Sequence, residues 1–202
     1  MSINEIPKFC INLEERKDRW NSFLIQKDNY PFLSNTERFN AIKHARGAEG
    51  CKLSYLTLFD HCIQNNINEV LILEDDVLFL NDVENTLQLA INQLPENWDL
   101  LYLGLNTHKK LDRYSDNLFK VKSSFATHAI LYNNRNNVMN YIIEKKDSCP
   151  VIDVFYSNEI QPKFQCFTVY PIIATQNNSY SDIEKKVINM NFIVDRFYTN
   201  TR

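Results

Sequence analysis

The chain holds only three glycines in 202 residues, so the glycine-rich loops that wrap backbone amides around phosphate groups are excluded. Its five cysteines, Cys10, Cys51, Cys62, Cys149 and Cys166, are odd in number and never spaced as Cys-x-x-Cys. That argues against a zinc site or a disulfide framework and leaves buried free thiols in a reducing compartment as the simplest reading. No apolar run approaches the roughly 20 residues that a membrane span needs. Residues 1–8 lack a basic stretch followed by an apolar one, so no signal peptide is expected. A net charge of −3 gives no global basic field for nucleic acid. There is no internal repeat and no linker rich in Pro, Gly or Ser, so one mixed α/β domain over 1–202 is expected.

What is plentiful is apolar and aromatic surface, 44% and 12% of residues, which fits a globular chain. Asparagine is also abundant, with a run from Asn133 to Asn137 interrupted only by Arg135. This reads as the coding bias of an A/T-rich genome and carries little chemistry.

The organising stretch is Glu69-Val70-Leu71-Ile72-Leu73-Glu74-Asp75-Asp76-Val77-Leu78-Phe79. Four consecutive aliphatics predict a strand buried on both faces, which cannot hold three carboxylates in its middle without a large desolvation cost. The acids therefore belong at its carboxyl end, where open α/β sheets bind ligands. Three adjacent like charges repel, and a hard divalent cation is a usual partner for such a cluster. The competing reading is helix capping, for which Asp82 is well placed, but capping accounts for one acid and not three.

Around this strand the pattern alternates. Lys8 to Leu13 predicts a first strand and Glu14 to about Lys27 a helix with Trp20, Phe23 and Leu24 on its apolar face. Arg16 and Arg19 share another face of that helix; taken alone they read as a solvated face paired with Glu15 or Asp18, and they gain weight because the preceding strand would aim them at the same crevice as the acids. Glu37 to Ile42 predicts a short strand, and a helix through Leu56, Phe59, Cys62 and Ile63 then crosses over to the acidic strand. Val83 to Leu94 is helical, Trp98 to Gly104 a strand with a sharp exit at Gly104, and Asn106 to Asn117 a polar loop containing Lys109, Lys110 and Arg113. Phe125 to Tyr132 predicts a strand, Arg135 to Lys146 a helix, and Pro150 to Phe155 a short helix carrying Asp153. Cys166 to Pro171 is a late strand, and the apolar tail from Val187 is expected to dock. His128, among small and apolar neighbours, reads first as a core histidine.

In order and spacing these pieces resemble glycosyltransferase family 25, which includes lipooligosaccharide galactosyltransferases and collagen hydroxylysine glycosyltransferases. The resemblance rests on Ile11-Asn12-Leu13 with Arg16 and Asp18-Arg19, on Gly50-Cys51-Lys52-Leu53-Ser54, and on Leu71 to Val77. It continues through Trp98 to Gly104, Thr127-His128-Ala129, Val151-Ile152-Asp153 and Pro171 to Gln176. It departs at Tyr55, where the family carries histidine, at Ile42-Lys43-His44, and at Asp153, displaced by one residue in its motif. The resemblance implies a GT-A type fold: a single-domain αβα sandwich with a mostly parallel central sheet, holding Mn2+ against a UDP-sugar diphosphate.

On that basis Asn12, Leu13 and Arg16 border the uridine and phosphates, with Ser54, Glu74 and Asp75 also on the cofactor side. Asp76 is the direct metal ligand, with Glu74 at the other outer position of the acidic motif. His128 and Asp182 are secondary candidates for completing the metal shell. Asp153 is the candidate base, needed only if the anomeric configuration inverts. The implied activity is hexose transfer from UDP-glucose or UDP-galactose to a glycan hydroxyl or to collagen-type hydroxylysine. Asparagine-rich coding and a short chain without an expected leader or span would suit a giant virus that glycosylates its own collagen-like proteins, in a cytoplasmic or virion-associated setting. Two alternatives compete: a nucleotidyltransferase, which would want the missing glycine-rich loop, and a non-catalytic binding module of the same fold.

Overall fold

The computed structural model describes residues 2–80, 82–148, 151–177, 179–181, 186–188 and 192–201. In chain order the first half contains β1 (Lys8–Asn12), α1 (Lys17–Asn29), β2 (Thr36–Asn40), α2 (Gly47–Gln64), β3 (Glu69–Glu74), β4 (Val77–Phe79) and α3 (Val83–Gln93). The second half contains β5 (Leu100–Tyr102), β6 (Asn106–Thr107), β7 (Asp112–Arg113), β8 (Leu118–Lys120), β9 (Ser124–Phe125) and β10 (Ala129–Asn133). It continues with α4 (Val138–Glu144), α5 (Ile152–Phe155), β11 (Cys166–Val169), β12 (Ala174–Gln176) and α6 (Phe192–Asn200).

The central sheet has the order β2-β1-β3-β10-β5-β11-β8-β7. β10 is antiparallel to both β3 and β5, and β8 to both β11 and β7. The other six strands share one direction, so the sheet is mostly parallel. Both helical crossovers of the first half serve β1. α1 leads from β1 to its neighbour β2, and α2 then carries the chain over β1 to β3 on its far side.

Successive side chains of a strand point to opposite faces, and β3 shows why its sequence is aliphatic without alternation. Val70 and Ile72 join a core with Tyr55 and Phe59 of α2 and Val138 and Ile142 of α4. Leu71 and Leu73 join a second core with Phe23 of α1 and Leu87 and Ile91 of α3. All four aliphatics are fully buried, each worth about 1.5–3 kcal/mol relative to exposure. The result is the αβα sandwich, with the carboxyl ends of β1 and β3 side by side.

Several expectations are corrected. The stretch from Phe125 to Tyr132 is two strands, because Ala126 takes a left-handed φ of 74° that breaks the extended chain. Gly104 makes no left-handed turn, since no glycine has positive φ. It is glycine because a Cβ there would stand 1.9 Å from the Ala174 carbonyl oxygen and 2.8 Å from His128 Nε2. Asp82 occupies the N-cap position of α3 without capping it. Its φ is 55°, and its carboxylate accepts from Asn85 Nδ2 at 3.1 Å. The helix expected from Arg135 starts only at Val138, after left-handed Asn137. Leu24 faces outward, leaving Phe23 as the buried anchor of α1. Cys10, Cys51, Cys62 and Cys166 are free thiols, while Cys149 lies outside the described residues. The tail docks as expected, through buried Ile193 and Phe197 of α6.

Candidate active site

The turn after β3 divides its acids between the two faces of the sheet. Glu74, last residue of β3, continues the parity of Val70 and Ile72 and meets α2. Its Oε1 lies 3.0 Å from Tyr55 Oη and accepts from Thr127 Oγ1 at 2.6 Å. Tyr55 Oη also lies 2.8 Å from the Thr127 carbonyl, so its one proton is shared between two acceptors. Tyr55, where histidine was expected, thus does more than fill space.

Asp75 turns the opposite way and is buried. Its Oδ2 accepts from Asn12 Nδ2 at 2.6 Å and its Oδ1 from Arg19 Nη1 at 2.8 Å. Asn12 is itself held, its Oδ1 accepting from Arg38 Nη2 at 2.6 Å. Register explains this alignment: Ile11 of β1 stands opposite Glu74, so the next residues, Asn12 and Asp75, meet where the strands end.

Asp76 is at the tip. Arg19 Nη1 is 3.3 Å from its Oδ2, and Gln176 Nε2 of β12 is 3.5 Å from its Oδ1. Its main chain is firmer, with the carbonyl accepting from Asn177 N–H at 2.7 Å. Asp75 and Asp76 open on a cavity of about 200 Å³ shared with Ser22 and Gln26 of α1 and with Asn177.

All three acids titrate above their ordinary range. Burial is the first cause each time, pushing Glu74 up to about 7 with the Asp76 charge adding to it and the Thr127 and Tyr55 hydroxyls opposing. At Asp75 and Asp76 burial outweighs the opposing pull of Arg19. Positive charge at the turn is therefore short of what three carboxylates would need to ionise normally. A hard cation fits this donor set of oxygens on chemical grounds.

A ready-made cage is absent: among the described residues no three His, Cys, Asp or Glu side chains converge as one could around a metal. Within the protein, Arg19, Asn12, Tyr55 and Thr127 already divide the acids among them. His128 immediately precedes β10. Its ring is fully buried beside Gly104 and the Ala174 carbonyl, and neither ring nitrogen meets a hydrogen-bond partner of good geometry among the described residues. Burial lowers its pKa to about 4, so the ring is neutral. Asp182 lies outside the described residues.

The remaining expected residues separate as follows. Leu13 is half-buried and offers its carbonyl to Arg38 at 3.3 Å. Arg16 pairs with Asp18 at 2.8 Å at the mouth of α1. Ser54 is fully buried, accepting from Ile42 N–H and donating to the Gly50 carbonyl, both at 2.7 Å. Its motif is thus a close helix-to-loop contact, and at Gly50 a Cβ would stand 2.6 Å from the Ile42 carbonyl oxygen. Asp153 is partly buried in α5, which raises its pKa above the ordinary carboxylate range. Its helix packs on the Glu74 side of the sheet, where Ile152 and Phe155 share the core of Val70 and Ile72.

Sequence reasoning underrated Arg19 and missed Arg38, Thr127 and Gln176. Arg19 carried a usable signal, three residues after Arg16 on one helix face. Arg38 and Gln176 carried none, because their partners, Asn12 and Asp76, lie in elements remote in sequence.

These features, a mostly parallel sandwich with an acidic turn at the carboxyl end of a central strand, define a glycosyltransferase fold of the GT-A type. A family model described as glycosyltransferase family 25 (LPS biosynthesis protein) matches residues 43–170, more than half of the chain. The chain belongs to that family. In three dimensions it is similar to A197 from STIV, with TM-score 0.54, 13% identity, and 95% of each chain covered. It is also similar to a glycosyltransferase involved in the glycosylation of the major capsid of PBCV-1, with TM-score 0.53, 7% identity, and 81% and 80% of the two chains covered. No curated protein matches the chain in sequence. No helix among the described residues is long and apolar enough to cross a membrane.

Proposed function

We propose that this chain, as a single GT-A-like domain, is a cation-dependent hexosyltransferase. It moves glucose or galactose from a UDP-sugar to a hydroxyl group on a glycan or a collagen-type hydroxylysine. The observation that carries the reading is the inequality among the three acids. Asp75 and Glu74 are each held by a contact of 2.6 Å, whereas the contacts to Asp76 are 3.3 and 3.5 Å. Among the described residues, the acid with the longest side-chain contacts is the one at the tip of the turn, beside a cavity.

Asp76, with Glu74 and Asp182 as candidates to assist, would hold Mn2+, which supplies Lewis-acid neutralisation of the charge left on UDP. Asn12, the Leu13 backbone and Arg16 border the nucleotide. Glu74, titrating near neutrality, is suited to a sugar hydroxyl, with which it can either accept or donate. Asp153, raised by burial, takes the acceptor proton if the configuration inverts. A lipopolysaccharide-type glycan as acceptor is the second reading, favoured by the description of the family. A cytoplasmic or virion-associated setting, with a viral protein as acceptor, fits the capsid-glycosylating neighbour.

The test is a donor screen with UDP-glucose, UDP-galactose and UDP-N-acetylhexosamines, following UDP release with and without Mn2+. One UDP-hexose should be consumed in a Mn2+-dependent way, and Asp76→Ala should lower the rate by about 10²-fold or more with the fold unchanged. A fully active Asp76→Ala variant, or no donor consumed at all, would overturn the proposal.

A further inference from the structure

We infer that Arg19 is an internal counter-ion of the acidic turn that holds Asp75 permanently and gives up Asp76 when a divalent cation arrives. This rests on the reading of Asp76 as the ligand of that cation. The same guanidinium nitrogen, Nη1, stands 2.8 Å from Asp75 Oδ1 and 3.3 Å from Asp76 Oδ2. Only the first of these meets hydrogen-bond geometry. The arginine side chain is 15% exposed and its partners 9% and 13%, so the three charges interact with little solvent screening.

The two carboxylates differ in what else secures them. Asp75 is tied on its other oxygen to Asn12, which Arg38 fixes in turn. Among the described residues, the other oxygen of Asp76 meets the long approach of Gln176 at 3.5 Å. Arg19 cannot retreat far, because α1 is anchored by fully buried Phe23 and by Gln26, whose Oε1 accepts from Phe79 N–H at 3.1 Å. Nor can it relax by losing its proton, since a guanidinium stays charged at any working pH. A cation that takes Asp76 must therefore compete with a fixed positive charge already in contact with it. Arg19 keeps the turn assembled without metal and weakens metal binding by the same interaction.

The probe is Mn2+ alone, titrated by electron paramagnetic resonance without nucleotide against the wild-type chain, Arg19→Gln and Arg19→Lys, and again with UDP present. Arg19→Gln should bind Mn2+ about tenfold more tightly than wild type, and its melting temperature without metal should fall while added Mn2+ restores it. Arg19→Lys, whose compact ammonium reaches one carboxylate rather than two, should lie between, and it decides the question if the glutamine variant fails to fold. A purely supporting role would lower stability and leave Mn2+ affinity equal or weaker, and that result overturns the inference alone. If neither wild type nor the variants bind Mn2+ even with UDP, the cation reading of the site falls and the inference with it.

Discussion

The two ends of the β1–β3 pair both bury charge, and they do so differently. At the amino end, Lys8 is 1% exposed, and its Nζ donates to the Ile6 carbonyl at 2.7 Å and to Asn35 Oδ1 at 2.8 Å. At the carboxyl end, Arg19 bridges Asp75 and Asp76, while Asn12 donates to Asp75 and the Tyr55 and Thr127 hydroxyls meet Glu74. Titration is displaced at both ends, Lys8 down to about 8 and Glu74 up to about 7, with burial the first cause in each. Displaced acidity therefore does not by itself mark the working end of the sheet. What separates the ends is completeness: Lys8 is wrapped by neutral oxygens of its own chain, whereas the acids border a cavity and keep one member loosely held.

The sharpest way to break this contrast is to strip the carboxyl end of its keystone. Asp75→Ala leaves Arg19 and the Asn12–Arg38 pair facing a vacancy, and loss of one partner from a buried ion pair is expected to destabilise by about 3–5 kcal/mol. Urea denaturation measures it. A loss below about 1 kcal/mol would mean that Asp75 is dispensable to the fold and belongs with Asp76 as a ligand.

A smaller effect is expected on the other face. Thr127→Val removes the 2.6 Å hydrogen bond to Glu74 and should destabilise by about 1.5–3 kcal/mol when Glu74 is charged. The pH dependence follows from the sign of the shift. With its folded value raised from 4.5 to about 7, Glu74 binds more proton folded than unfolded across that window, so its contribution to stability falls as pH rises through it. The Thr127 hydroxyl opposes the rise, so the valine variant should extend the falling region upward. Urea midpoints from pH 4.5 to 8.5 check this, and an unchanged profile would separate Glu74 from Thr127.

How much of this was legible in the sequence depends on the range of each interaction. The run Val70 to Leu73 announced a strand buried on both faces, and alternation alone then sent its residues into two cores. The acids had to leave the sheet where the aliphatics stop, which placed the crevice. Strand order was not legible: nothing in Ala129–Asn133 says that it enters antiparallel between β3 and β5. The strands at Asn106–Thr107 and Asp112–Arg113 were hidden inside a polar loop because two residues carry no period. At Ser54 a motif read without coordinates could not show a buried hydroxyl closing on Ile42 and Gly50. The partition of the three acids was out of reach for the same reason, since Arg38, Thr127 and Gln176 come from elements remote in sequence.

The smallest expected change tests the amino end, where the contrast predicts stability without function. Lys8 has its folded value lowered from 10.5 to about 8, so between those values the unfolded chain binds more proton than the folded one. Its contribution to stability therefore rises with pH across that window, at no more than about 1.4 kcal/mol per pH unit. Lys8→Met should remove this rising component, seen as a difference in slope between variant and wild type from pH 8 to 10.5, while UDP release at pH 7.5 stays at the wild-type rate. Because buried tyrosines and thiols titrate in the same range with the opposite sign, only the difference between the two proteins isolates Lys8. A variant with wild-type slope would mean that the ammonium is solvated, and a loss of turnover would mean that the amino end takes part in the chemistry after all.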